Sequence, residues 1–175
     1  MIGLGTCRVI AVGALALVVS IPLAPANAAT RLFTDAAGDV SAGTDIQRVR
    51  VHNAARVLVT VTFRDIRGNR GGGFSVFFDT DKSRVGPEFG ASAGLARGTD
   101  FSIVRMRHWH ATSDPLSCPL ELKNNYLEDT STFTVARSCL NSPGRVRVSV
   151  TSTNNRQVTD WAPGFHTFYA GVSRF

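Results

Sequence analysis

Charge is scarce in this chain. Asp, Glu, Lys and Arg make up 18% of its 175 residues, against 43% hydrophobic. That balance excludes intrinsic disorder for the bulk of the chain. Lysine is nearly absent, and no run of five basic residues occurs anywhere. Only one stretch is apolar enough to cross a membrane, and it is N-terminal, which excludes a polytopic membrane protein. No window of 12 residues has the period of an amphipathic helix. Linkers, internal repeats and low-complexity tracts are missing. So is a glycosylation acceptor, because Pro143 follows Asn141-Ser142.

The one apolar run has the layout of an export signal. Arg8 lies before it, Val9 to Leu23 forms its body, and Ala26-Asn27-Ala28 places small residues where signal peptidase reads. A signal peptide over residues 1–28 and a single domain over residues 29–175 follow as the expectation. A retained anchor is disfavoured because no basic cluster follows the run. Cys7 precedes it, whereas a lipid-anchored cysteine would follow it. The domain of 147 residues is long enough to bury roughly two thirds of its unfolded surface. Secretion to the extracellular space is the expected localisation, as a monomer with no stable membrane insertion after cleavage.

Removing the signal leaves Cys118 and Cys139. In an oxidising compartment the simplest use of two cysteines is a disulfide. It closes a loop of about 20 residues, worth about 3 kcal/mol on the chain-entropy account. A catalytic thiolate would need a basic partner, and nothing in the sequence points to one. The domain carries 18 basic residues, 16 of them Arg, against 13 acidic ones, for a net charge of +5. Such a surface attracts anionic wall polymers and acidic glycans. The dispersal of its cations and its export argue against nucleic acid as a partner.

Period-two alternation dominates the domain. Val57, Val59, Val61 and Phe63 share one face of a strand over Arg56 to Arg64. Ile46 to Val51 and Arg145 to Thr151 alternate in the same way. Phe74 to Phe78 is apolar on both faces, as a covered central strand would be. Asp100 to Trp109, Thr132 to Ala136 and His166 to Val172 complete a set of seven expected strands. Asn53-Ala54-Ala55 and Ser142-Pro143-Gly144 read as turns, and Gly68 to Gly73 as a flexible hairpin loop. Short strands and Gly, Pro and Asn turns predict an all-β fold, a single antiparallel β-sandwich of jelly-roll type.

Chemistry is sparser. Asp79, Asp81 and Ser83 match the first positions of a calcium loop, which offers oxygens at alternating residues. Arg84 then stands where an EF-hand has Gly, and Gly90 where it has the bidentate Glu, so a complete EF-hand is excluded. Asp79 and Asp81 remain candidate metal ligands, with calcium the one cofactor in view and Asp35 or Asp39 completing the site if the fold brings them close. The competing reading is an Asx-turn, in which the carboxylate accepts backbone N–H bonds. His108 and His110 lack a third zinc ligand. Gly73 to Phe77 lacks the second glycine of a nucleophile elbow, and no catalytic residue is assigned. Trp109, on the same strand face as Arg105 and Arg107 by alternation, is the candidate ligand-binding group: a flat ring for a sugar face beside cations for its polar groups.

Three segments carry a resemblance: Asp35-Ala-Ala-Gly-Asp39 with Asp45-Ile46; Phe77-Phe78-Asp79-Thr80-Asp81 with Gly86-Pro87-Glu88-Phe89 and Gly98-Thr99-Asp100-Phe101; and Asp160-Trp161-Ala162-Pro163. Together, from Thr30 to about Gly164, they resemble a group of small secreted proteins of actinobacteria. At greater distance they resemble the β-sandwich group of family 9 carbohydrate-binding modules and DOMON-like domains. The resemblance implies a non-catalytic sandwich that binds a carbohydrate or cell-wall polymer, in some members with calcium. Paired tryptophans that sandwich a sugar find no match here, and Met106 with His108 are too close on one strand to serve as axial haem ligands. The alternative expectation is a structural or interaction protein of the envelope, recognising a protein partner through an Arg-rich sheet face. A hydrolase is the least favoured reading.

Overall fold

The computed structural model describes residues 30–174. The expected signal segment, residues 1–28, lies outside the described residues. The described residues form twelve strands: β1 (Thr30–Thr34), β2 (Ile46–Asn53), β3 (Arg56–Phe63), β4 (Gly73–Asp79), β5 (Phe89–Gly94), β6 (Phe101–Arg107), β7 (His110–Ala111), β8 (Leu120–Asn125), β9 (Thr130–Ala136), β10 (Arg145–Thr153), β11 (Thr159–Ala162) and β12 (Val172–Ser173). They form two antiparallel sheets. One runs β1-β2-β3-β9-β8. The other runs β11-β10-β4-β5-β6-β7, with β12 pairing to β10. The protein is an all-β sandwich, and among the described residues no helix is long and apolar enough to cross a membrane.

The alternation explains why the sheets face each other. Val49, Val51, Val57, Val59, Val61 and Phe63 of the first sheet are buried against Phe74, Val76, Phe78, Phe89, Ile103, Val146, Val148 and Val150 of the second. Each fully buried Val or Phe contributes about 1.5–3 kcal/mol of transfer free energy. The odd positions of β3 enter this layer, while Leu58, Thr60 and Thr62 lie on its outer side. A slip of one residue would invert every one of them, so the hydrophobic pattern fixes the register.

Several expectations are corrected. The loop from Gly68 to Gly73 joins no hairpin: β3 and β4 lie in different sheets, and the loop carries the chain across the sandwich. The segment from His166 to Val172 is strand only at its end, in β12. Its earlier part turns, with the Thr167 N–H donating to the Gly164 carbonyl (3.1 Å) and His166 at φ 54°. Of the apolar residues that suggested a strand, Phe168 packs on the outer face of the second sheet, against Trp109, while Tyr169 and Val172 are buried in the core. Asp100 to Trp109 ends as a strand at Arg107. β1, β5, β7, β8 and β11 had no counterpart among the expected strands.

Two buried devices hold the ends together. Cys118 and Cys139 form a disulfide, with Cα atoms 5.8 Å apart, that ties the entry of β8 to the 3-10 turn Arg137–Leu140 after β9. Arg137 from that turn is buried. It donates to Asn53 Oδ1, to the Ala54 carbonyl (3.4 Å) and to the Pro143 carbonyl. Asn53 in turn donates to the Val172 carbonyl (2.8 Å), so one chain of polar contacts links β2, β12 and two turns.

Candidate functional site

The sheets present three regions of chemical interest. The first is the outer face of the seven-stranded sheet. Phe77, at its centre, stacks on Trp161 of β11 (ring centroids 5.9 Å apart, planes 10° apart) and meets Trp109 edge-on at 5.3 Å. Trp109 lies nearly parallel to both His166 (4.4 Å) and Phe168 (4.9 Å). Phe165 stacks on His166 at 3.9 Å and is 69% exposed. Arg147 clamps this layer: its guanidinium pairs with the buried carboxylate of Asp79 and lies 5.1 Å from the Phe168 ring centroid. The result is a small second core, built from the 163–168 loop and the β6–β7 turn.

Trp109 reaches this layer because the strand stops before it. His108 and Trp109 are the two central residues of a tight turn, both at positive φ (48° and 68°), since Arg107 pairs with His110. Primed turns of this kind usually hold Gly or Asn. Bulky side chains there are strained. The turn breaks the alternation on which the grouping of Trp109 with Arg105 and Arg107 rested. Arg105 pairs with Phe89 on the other face and lies over its ring, 5.6 Å from the centroid. Trp109 is therefore not brought together with Arg105 and Arg107, and its ring is engaged by its own neighbours.

The second region is the outer face of the five-stranded sheet. The register runs two parallel rows across all five strands. One is Leu32, Arg50, Thr60, Thr132 and Lys123; the other is Thr34, Arg48, Thr62, Thr130 and Asn125. Nine of these ten residues, Thr34 excepted, together with Glu128 line a cavity of about 400 Å³. Thr60 and Thr132 share a hydrogen bond of 2.9 Å at its floor. Arg48, Arg50 and Lys123 form no ion pair among the described residues, and all three are exposed. Arg50 and Lys123 stand three strands apart, about 14 Å at the ordinary ~4.8 Å strand spacing.

The chain matches no family model, no curated protein and no solved structure.

The third region is acidic, and it is not the one the sequence suggested. Asp79 is committed to Arg147. Asp81 accepts the Ser83 N–H (3.1 Å) and the Ser83 hydroxyl (2.6 Å), an Asx-turn that holds its carboxyl below the usual range. The two carboxylates serve separate partners. Among the described residues the one grouping of three candidate metal ligands is Asp39, Asp45 and Asp160. Asp39 lies in the loop between β1 and β2, Asp45 just before β2, and Asp160 on β11.

Local hydrogen bonds set this third group. Gly38, at φ 90°, lets its N–H donate to Asp45 Oδ2 (2.9 Å). The Ile46 N–H donates to Asp160 Oδ2 (2.7 Å), which joins the start of β2 to β11. Burial raises the Asp160 carboxyl to about 6, with repulsion from Asp39 and Asp45 adding to it against the Ile46 hydrogen bond. Burial likewise raises Asp35 to about 6, helped by repulsion from Asp160, Asp39 and Asp45. Tyr169 nearby is pushed upward, first by burial and then by Asp35 and Asp160. All three acids were visible in the sequence, but only the fold brings Asp160 to Asp45.

Proposed function

We propose that the chain is an exported, non-catalytic, monomeric binding domain that holds an acidic polysaccharide of the cell envelope. The reading is carried by the groove on the five-stranded face. Three cations without carboxylate partners flank a floor of threonine and asparagine. An anionic polymer lying across the strands would meet Arg50 at one side and Lys123 at the other, with hydroxyl and amide groups between them for its sugar hydroxyls. Arg supplies a planar fork suited to carboxylates. Glu128 at the rim repels the same ligand and would bias its position. The net charge of the domain draws such polymers in. The disulfide fits an oxidising compartment, in keeping with export.

Retention of the protein on immobilised polygalacturonate, on neutral cellulose and on purified cell wall tests this. Retention on the acidic polymer and not on cellulose is expected. It should be lost in Arg50→Ala/Lys123→Ala and reduced as salt rises, because exposed charges are screened within about 10 Å at 0.1 M. Equal retention of the double variant sinks the groove assignment. Retention on none of the three polymers favours a protein partner for the same Arg-rich face.

A further inference from the structure

We propose that Asp39, Asp45 and Asp160 form a calcium site that fastens the β1–β2 loop to β11. This goes beyond the polymer groove and does not depend on it, since the site lies at the rim of the sandwich and uses different residues. Two independent observations converge. The three carboxylates each offer an oxygen, and these oxygens all lie within 4.8 Å of one another. Asp45 is fully buried, and its Oδ1 has no hydrogen-bond partner among the described residues. A buried carboxylate oxygen with no donor is costly. Asp160, also buried, faces it at close range. Like charges so placed in a water-poor rim need a counter-charge.

Protein groups do not supply enough of it. Among the described residues, Arg64 is the one cation in an ion pair with the group. Its Nη1 is 3.9 Å from Asp45 Oδ2, and its side chain is 56% exposed. That oxygen already accepts the Gly38 N–H, and Oδ1 receives nothing. Asp35 adds a fourth acid to the neighbourhood and no positive charge.

The donor set, three carboxylate oxygens, is the hard kind that calcium takes. Calcium's bonds to oxygen are about 2.3–2.6 Å, so ligands on opposite sides of the ion stand about 4.6–5.2 Å apart. A group spanning no more than 4.8 Å closes around such an ion with little movement. Magnesium, with bonds of about 2.0–2.1 Å and a strict octahedron, keeps most of its waters and suits a buried carboxylate trio poorly. Two of the three ligands are also braced. Asp45 is held by Gly38 and Asp160 by Ile46, so their geometry is set before the ion arrives. Asp39 is the exposed member and completes the site from the solvent side.

The test is calorimetric titration of the chelator-stripped full chain with calcium chloride and, separately, magnesium chloride, with melting temperature followed in parallel. One calcium per chain, a rise in melting temperature with calcium and at least tenfold weaker binding of magnesium are expected. Asp39→Asn, an exposed change that leaves the fold intact, should weaken calcium at least tenfold. Asp45→Asn should abolish the calcium-dependent rise. Asp81→Asn should leave both unchanged. The proposal is overturned by absence of calcium heat and of any melting shift, by equal affinity for magnesium, by calcium affinity unchanged in Asp39→Asn, or by its loss in Asp81→Asn.

Discussion

Asp160 and Trp161 are consecutive on β11 and serve opposite faces of one sheet. The Asp160 carboxylate points inward and accepts the Ile46 N–H at 2.7 Å. The Trp161 ring points outward and stacks on Phe77. Strand geometry imposes this division, because successive side chains alternate. β11 is a four-residue edge strand held to one neighbour, β10. Whatever anchors Asp160 to the β1–β2 loop also anchors the ring that the outer aromatic layer is built on. The acidic rim and the aromatic layer are thus mechanically joined through two adjacent residues.

Trp109→Ala should destabilise the protein and leave its polymer retention unchanged. The ring contacts Phe77, Trp161, His166 and Phe168, and removing it empties the middle of that layer. Large-to-small changes of aromatics cost about 3–5 kcal/mol when fully buried. Trp109 is half-buried, so about 2–3 kcal/mol is expected. Urea titration measures the first effect and the polygalacturonate column the second. Loss of retention without loss of stability would return Trp109 to the ligand site.

Gly86→Ala probes the same turn from beneath. Gly86 has φ 84°, and an added Cβ would lie 3.3 Å from His108 Cα, Trp109 N and Trp109 Cδ1. The left-handed backbone costs a non-glycine residue about 1–2 kcal/mol, and the close approach to a turn that is itself strained adds to that. A loss of about 2 kcal/mol by denaturant unfolding, with a shift in tryptophan emission, is expected.

The sandwich was legible where burial is one-sided. Val57, Val59, Val61 and Phe63 announce β3, and Val146, Val148 and Val150 announce β10, because each strand has a wet face and a dry one. β5 was not legible. Its core positions beyond Phe89 are Ala91 and Ala93, which sit between the larger side chains of β4 and β6 and give no hydrophobic signal. His166 to Val172 failed in the opposite sense: Phe168 covers a sheet, Tyr169 enters the core from a turn, and only Val172 joins a strand. The cysteine pair followed from counting alone. The acidic group did not, because local spacing favoured Asp79 with Asp81, while Ile46 and Asp160 meet across 114 positions. No periodicity records a contact of that length.

Arg137→Ala should cost about 3 kcal/mol. A charged donor buried against Asn53, Ala54 and Pro143 leaves their acceptors unpaired when it is truncated. Burial already disfavours its charge, as the lowered guanidinium pKa records. Asn53→Ala breaks the same chain and also frees the Val172 carbonyl. The double variant should therefore be less damaging than the two losses added, by 0.5 kcal/mol or more. Strict additivity in a double-mutant cycle would show that the contacts act separately.

Metal-stripped protein should lose stability as pH rises from about 4 to about 6.5, the reverse of ordinary acid unfolding. Asp35 and Asp160 are raised from 3.8 to about 6, chiefly by burial and then by repulsion within the group that includes Asp39 and Asp45. An acid whose folded pKa is raised binds its proton more tightly when folded. Its contribution is full below about 4, where both states are protonated, and is lost as pH climbs through about 6. Arg64, at 3.9 Å from Asp45, offsets part of the repulsion, and Tyr169 stays neutral throughout. Exposed Asp81 acts in the opposite direction, its lowered pKa favouring the folded state once pH exceeds the unfolded value. Calcium competes with the protons for the same carboxylates. Its addition should raise the melting temperature above pH 6 and have little effect near pH 4. Melting curves across that range, with chelator and with calcium, decide it: a chelated protein whose stability is flat or rises with pH would mean that the acidic rim carries no repulsion for a cation to relieve.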